Sequence, residues 1–290
     1  MSVALKHNDS TIRHTIAKSA EGYPLLGVAG YWSNTAFKDT QANVLQRVKE
    51  LGLNPDAVPE VRGKSAFIRA VEEVAFQKKA KHIKVADNIA KCAYVIVQTV
   101  VDPNNLDATF TTETKAIFHK GSETLTVEGP NDVLIQSLFE EYKTHYYSDQ
   151  FRDTILRLLA YHTDFMTIRD RGGVYFIPSH NSDIIDRLQK LFEGYPECSL
   201  DMIPVIDTGL AKKSVWKSLV GEVTAEISDL KAGIASLETD PSERSVRLRF
   251  EQFKKLKEKV ANYEMLLQGT ALNLKDDLDQ VAEALRVKTL

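Results

Sequence analysis

A seven-residue apolar repeat closes the chain: Val246, Phe253, Val260, Leu267, Leu274 and Val281. Few patterns restrict a fold so firmly, because a period of seven keeps one stripe of a helix facing the same partner over many turns. Leu256 and Tyr263 fill early +3 positions, and Phe250, Leu278 and Leu285 fill +4 positions. The preceding stretch carries Leu219, Val223, Ile227, Leu230, Ile234 and Leu237 at helical spacing. Between the two, Asp240-Pro241-Ser242-Glu243 reads as a helix start, with Asp240 as N-cap, Pro241 at N1 and Glu243 at N3. The spacing predicts an antiparallel coiled-coil hairpin over 211–290, with Gly269 as a place where the second arm can divide. That arm has more apolar length than the first covers, so the excess meets another chain or folds back on the body. Its length favours another chain, which makes the six repeat residues a candidate oligomerisation stripe.

Upstream the period changes. Residues 40–52 and 65–75 each show a helical stripe, joined by a loop with Pro55 and Pro59, and together suggest a helical hairpin. From Ile83 to Val127 short β-branched runs alternate around an Asp102-Pro103-Asn104-Asn105 turn and Gly121, the pattern of an antiparallel meander of three or four strands. Two helices follow over 131–146 and 149–162, the second with Ser148 as its expected N-cap. A β-hairpin then turns at Asp170-Arg171-Gly172-Gly173 and ends at Pro178. Residues 182–193 are helical, and 199–206 form a strand that Pro204 either interrupts or confines to a sheet edge. The expected fold class is α+β in three stretches. These are a small helix and antiparallel-sheet module over 1–129, a central helix and β-hairpin module over 130–210, and the coiled-coil helices over 211–290.

Charge narrows the partners. The 290 residues carry a formal net charge of −3, and residues 130–210 hold 7 basic against 13 acidic side chains. A domain that coats DNA shows a clear basic excess instead. Two local features still suit a nucleic acid. Lys78, Lys79, Lys81 and Lys84, with His82 and Lys91, form the densest basic cluster, and on a strand they would line one exposed face. The plainer reading is an edge strand that lysines protect from pairing. Arg169 and Arg171 sit at the hairpin turn after a helix, the layout of a winged-helix DNA reader, although an acidic neighbourhood weighs against it. Tyr23, Tyr31 and Trp32 stand near glycines and either stack a base or anchor a short strand.

Catalytic signatures are missing: no GxSxG, GxxxxGK, GxGxxG, HExxH or CxxC occurs. His162 with Asp164 comes nearest to a ligand pair, and a satisfied helix-end histidine is its plainer reading. No catalytic residue, metal or cofactor is therefore expected. Cys92 and Cys198 are far apart and read as free thiols of a cytoplasmic protein. No run of about 18 apolar residues is long enough to cross a membrane, and the first ten residues lack a secretory apolar core.

Trp32, the Gly52-Leu53-Asn54-Pro55 loop with Pro59, and the run from Arg171 to Pro178 occur in that order before the helical C-terminus. The ordering resembles an uncharacterised family of prokaryotic, phage and plasmid proteins of unknown function. The resemblance covers most of the chain and implies a mobile-element setting, with no activity or site residue attached. The resulting expectation is a non-enzymatic, oligomeric binding or assembly protein acting on a nucleic acid, a nucleoprotein or a host factor. The alternatives are a winged-helix-like DNA-binding regulator and an enzyme whose site follows no motif.

Overall fold

Strand pairing joins residues far apart in sequence. The structure, a computed structural model, describes residues 24–101, 108–168, 173–237, 242–267 and 272–287. Helices and antiparallel strands are both abundant, so the fold class is α+β. The chain forms two compact units: a meander unit of residues 34–158, and a helical unit of residues 1–33 and 159–290. These units cut across the linear stretches 1–129, 130–210 and 211–290. The reason is that strand β1 (Leu25–Ser33) pairs with β9 (Tyr175–Pro178) and β10 (Ser199–Ile206).

In the meander unit, α1 (Gln41–Glu50) starts at Thr40, whose hydroxyl accepts from the Asn43 backbone N–H at 3.2 Å. It ends where Gly52 turns left-handed at φ 64°. Helix α2 (Gly63–Gln77) buries Phe67, Ala70, Val71 and Val74 along one stripe. Strands β3 (Lys81–Asp87), β4 (Lys91–Val101), β5 (Ala108–His119) and β6 (Thr124–Glu128) form an antiparallel sheet in chain order. Helix α2 packs against α3 (Asp132–Thr144), not against α1, so the expected hairpin of the first two helices does not form. Both α2 and α3 place apolar stripes over the same core, with Cys92, Tyr94, Ile96, Ala116 and Phe118 of the sheet. Two short strands escaped the sequence pattern. β2 (Lys38–Thr40) pairs with β7 (His145–Tyr147), which separates α3 from α4 (Ser148–His162). Ser148 is the first residue of α4. Its hydroxyl donates to the Thr35 carbonyl at 3.0 Å.

In the helical unit, β10, β1, β9 and β8 (Met166–Thr167) form an antiparallel sheet in that order. β10 is its edge strand, as Pro204 requires. Leu26, Met166 and Phe176 of the sheet join one buried cluster with α6 (Gly209–Ala235), α7 (Glu243–Leu266) and α8 (Leu272–Val287). Helix α5 (Ser182–Glu193) contacts β10.

The C-terminal stripe is spent inside this chain. Val260, Leu267, Leu274 and Val281 are at most 4% exposed, and Phe253 packs against the same cluster. Val246 is half-buried. The excess length of the second arm is taken up by folding back: α8 packs on both α6 and α7. A three-helix bundle thus replaces the expected two-helix coiled coil, and the repeat residues do not form a free oligomerisation surface. The N-cap of α7 is Ser242, which accepts from the Ser245 backbone N–H at 3.3 Å. Asp240 and Pro241 lie outside the described residues, as do Gly269, residues 1–20, Tyr23 and the 102–105 turn.

Lys79 follows α2 with φ 52°, the left-handed position that glycine favours. The Ala80 N–H closes the helix by donating to the Ala75 carbonyl at 2.9 Å. Lys79→Gly relieves that conformation and is expected to stabilise the meander unit by about 1 kcal/mol, read as a rise in the urea midpoint followed by circular dichroism.

Candidate functional site

Side-chain alternation sorts the meander sheet into two faces. Tyr94 and Ile96 of β4 belong to the helix-packed core, so Val95 and Val97 point to the outer face. The register then places Lys81 opposite Val97, Ile83 opposite Val95, and Phe110 opposite Thr99, all on that outer face. Phe110 is 57% exposed, and the Lys81 ammonium stands 5.6 Å from its ring centroid. Ile83 and Val85 are also exposed. Lys115 lies there too, 3.8 Å from Glu128.

The lysine cluster is divided. Lys84 is opposite Tyr94 and so faces the helix side, as does His82, 3.9 Å from Glu72. A one-residue step along β3 reverses direction, so Lys81 and Lys84, three apart, cannot share a face. β3 is an edge strand, and Lys81 and Lys84 are exposed on it. Lys78 caps the C-terminus of α2 and Lys79 follows it. At the far end of β3, Lys64, Lys84 and Lys120 converge on Asp87, at 2.8, 3.8 and 2.8 Å. Hydrogen bonds from Lys120 and Lys64 hold the Asp87 carboxyl well below the usual carboxylate range. Three ammonium groups around one carboxylate leave a local surplus of positive charge.

The helical unit carries a different feature, a cleft of about 540 Å³. One wall is the end of α4 and the segment after it, with Tyr161, His162 and Asp164. The others are Glu222 and Glu226 on α6 and Lys255, Leu256, Glu258 and Lys259 on α7. Lys259 bridges Glu222 and Glu226. Glu222 is further fixed by the Thr167 backbone N–H, which donates to it at 2.8 Å. Asp164 accepts from Asn262 at 2.5 Å and stands 3.6 Å from His180. Burial, with Glu222 adding to it, pushes the Glu226 carboxyl up, although Lys259 opposes the shift. Burial, helped by Arg187, pushes the His162 imidazole down. No group of three or more His, Cys, Asp or Glu side chains able to hold a metal ion occurs among the described residues.

Trp32 stacks on Tyr175 with centroids 4.9 Å apart, so it anchors the sheet of the helical unit. Tyr31 is 40% exposed. Arg169 and Arg171 lie outside the described residues. The arms of their hairpin are β8 and β9, and β9 also pairs with β1. Both cysteines are free, Cys92 buried and Cys198 half-buried. Burial, with Glu197 beside it, pushes the Cys198 thiol up to about 11.

A family model matches residues 25–290. The chain belongs to DUF6744, a family of unknown function. The DUF6744 match begins at the first residue of β1 and takes in both the open sheet face and the cleft. It also takes in Trp32, the Gly52–Pro55 loop and the run to Pro178. No curated protein and no solved structure matches the chain. No helix among the described residues is long and apolar enough to cross a membrane.

Sequence reasoning reaches this cleft only at His162 and Asp164. Glu222 with Glu226, and Lys255 with Lys259, have the i,i+4 spacing of neighbours on a helix face. That spacing was the available signal. That the two pairs face each other, and that Asp164 and His180 join them, depends on tertiary packing.

Proposed function

We propose that this is a non-enzymatic single-stranded nucleic-acid-binding protein of a phage or other mobile element, working in the cytoplasm, with the outer face of the β3–β6 sheet as its platform. The observation that carries the reading is the Lys81 ammonium poised over the exposed ring of Phe110. An aromatic ring on an open sheet offers a base its π-face, and an adjacent ammonium meets the phosphate that follows. Both helices packed on this sheet occupy the opposite face, and Ile83 and Phe110 of the outer face are exposed, while Ala93 and Val97 between them are buried. Residues 78–91 hold five lysines against one carboxylate and supply a general attraction, with Lys81 the one of them placed on the outer face. A duplex keeps its bases stacked inside and cannot use Phe110, so the reading favours single strands. Self-association is not required, because the repeat residues lie in the chain's own core.

Fluorescence anisotropy of a labelled 20-nucleotide strand and of the same sequence as a duplex, at low and physiological salt, tests this. The strand is expected to bind tighter than the duplex. Loss of one stacked base is worth about 1–3 kcal/mol, so Phe110→Ala is expected to weaken binding by about 5- to 150-fold. Lys81→Ala is expected to flatten the logarithmic salt dependence by about 0.7, the value for one phosphate contact on a single strand. Equal affinity for strand and duplex, or no effect of Phe110→Ala, rules the platform out.

A further inference from the structure

We propose that the chain pairs with a second copy of itself along the free stretch of β5, residues 108–112, making one continuous antiparallel sheet across two meander units. The pairing uses the backbone edge and is independent of what the outer face binds. β5 is longer than its neighbour β6, which pairs with it only from Lys115 to His119. Gly129 and Asn131 approach the next two residues. A β-carbon at Gly129 would lie 2.4 Å from the Glu113 carbonyl oxygen, and the Asn131 side chain donates to the Thr114 hydroxyl at 2.9 Å. Before Glu113 no strand among the described residues pairs with this edge of β5. Thr109, Phe110, Thr111 and Thr112 are all exposed.

An unpaired edge is a template for another chain, and charge, proline or a covering group discourages such pairing. The outer strands of the two four-stranded sheets carry these features. β3 has exposed Lys81 and Lys84, β6 ends on Glu128, and β10 contains Pro204. On β8 the Thr167 backbone N–H is taken by Glu222. The free stretch of β5 reads Ala-Thr-Phe-Thr-Thr, with no charge, proline or glycine.

The same five residues say what fits there. An antiparallel pair centred on Phe110 sets Phe110 opposite its own counterpart, Thr109 opposite Thr111, and Ala108 opposite Thr112. Aromatic pairs and threonine pairs are favourable cross-strand neighbours, and no like charges meet. Asp107 and Glu113 bound the run in sequence, so longer pairing in this register opposes carboxylates and is disfavoured. A residue that faces itself lies on a twofold axis. The interface is therefore isologous and closes at two copies. Directly opposite residues of antiparallel strands point to one face, so both Phe110 rings and both Lys81 ammonium groups stand on the same open side. So short an edge makes a small interface, and the pairing is weak and concentration-dependent.

Sedimentation velocity of the full-length protein without nucleic acid, from about 5 to 200 μM, covers the range of a weak interface. The mass is expected to rise from one chain to two and to stop there. Thr109→Lys combined with Thr111→Lys puts lysine opposite lysine at two places, and that variant is expected to stay at one chain. Thr109→Glu combined with Thr111→Glu is expected to do the same. An equimolar mixture of the two variants is expected to return to the mass of two chains, which also shows that both fold. Phe110→Cys leaves the threonines intact and tests the axis directly. Its α-carbon is expected about 4.5–5.5 Å from its counterpart, within disulfide reach, so mild oxidation is expected to link two copies. Thr112→Cys stands about 14 Å along the strand from its counterpart and is expected to link no more than the unaltered chain. A single-chain mass at every concentration leaves the edge to a different partner and overturns the inference. So does growth beyond two copies, a mixture of folded variants that stays at one chain, or equal cross-linking at positions 110 and 112.

Discussion

Replacing Phe67 with alanine is expected to cost the meander unit about 3–5 kcal/mol, the usual range for a buried phenylalanine. Phe67 is fully buried on α2. Its ring lies 5.8 Å from Phe118 and 5.9 Å from Tyr94, so it joins the helix to β5 and β4 at once. Truncation removes these contacts and leaves a void that a sheet paired on both sides cannot close. Domain stabilities are about 5–15 kcal/mol, so the loss is a large part of the whole. Two probes separate the units. Both tryptophans, Trp32 and Trp216, lie in the helical unit, so their emission follows that unit and not the meander. Circular dichroism follows both. The dichroism midpoint in urea is expected to fall sharply for Phe67→Ala and much less for Phe67→Leu, which keeps most of the volume. An unchanged midpoint for Phe67→Ala means that the ring does not hold this core.

Gly27→Ala is expected to damage the other unit as severely. A β-carbon at Gly27 would lie 2.2 Å from the Ile177 carbonyl oxygen and 2.8 Å from the tip of the Phe176 ring. Neither can withdraw cheaply. Ile177 belongs to the paired strand β9, and Phe176 is buried in the cluster with α6–α8. The strands must part or the core must open, at about 3 kcal/mol or more for such overpacking. Gly30, three residues along the same strand, gives the contrast. Its added carbon would meet the side chain of Met202, whose sulfur is 2.7 Å away. A methionine can turn aside, so Gly30→Ala is expected to cost clearly less. Trp32 lies on β1 and stacks on Tyr175, so tryptophan emission in urea reads both variants. A Gly30→Ala effect equal to that of Gly27→Ala would show that close approach to backbone is not the cause.

Local periodicity announced most elements, and long-range contacts decided what they meant. The seven-residue repeat marked a helix correctly, but the same stripe serves a partner chain or a third helix. The return of α8 onto α6 and α7 is a tertiary fact. β7 has no signature in the sequence, because three residues between two helices show no alternation. Lys81 and Lys84 were grouped by proximity in sequence, yet strand geometry sends them to opposite faces, and the irregular register beyond Lys84 adds to the mismatch. Phe110 is one aromatic in an alternating β-branched run, and such a residue reads as core until the pairing shows which face it occupies. In the cleft, His162 and Asp164 were visible as neighbours in sequence. Glu226 and Asn181 entered only through the packing of α6, α7 and the turn before α5.

The placement of β1 also sets a timetable for synthesis. Leu25 pairs with Ile206, and Gly27 with Pro178. At translation rates of about 5–20 residues per second, β1 leaves the ribosome roughly 9–36 s before its last partner is made. Residues 34–158 are complete well before then and can collapse on their own core while the first strand still waits. During that interval Leu26 and Val28, both buried at the end, are bare to solvent or to a chaperone. A nascent chain stalled before Gly173 therefore presents a finished meander with an unpaired, aggregation-prone strand ahead of it.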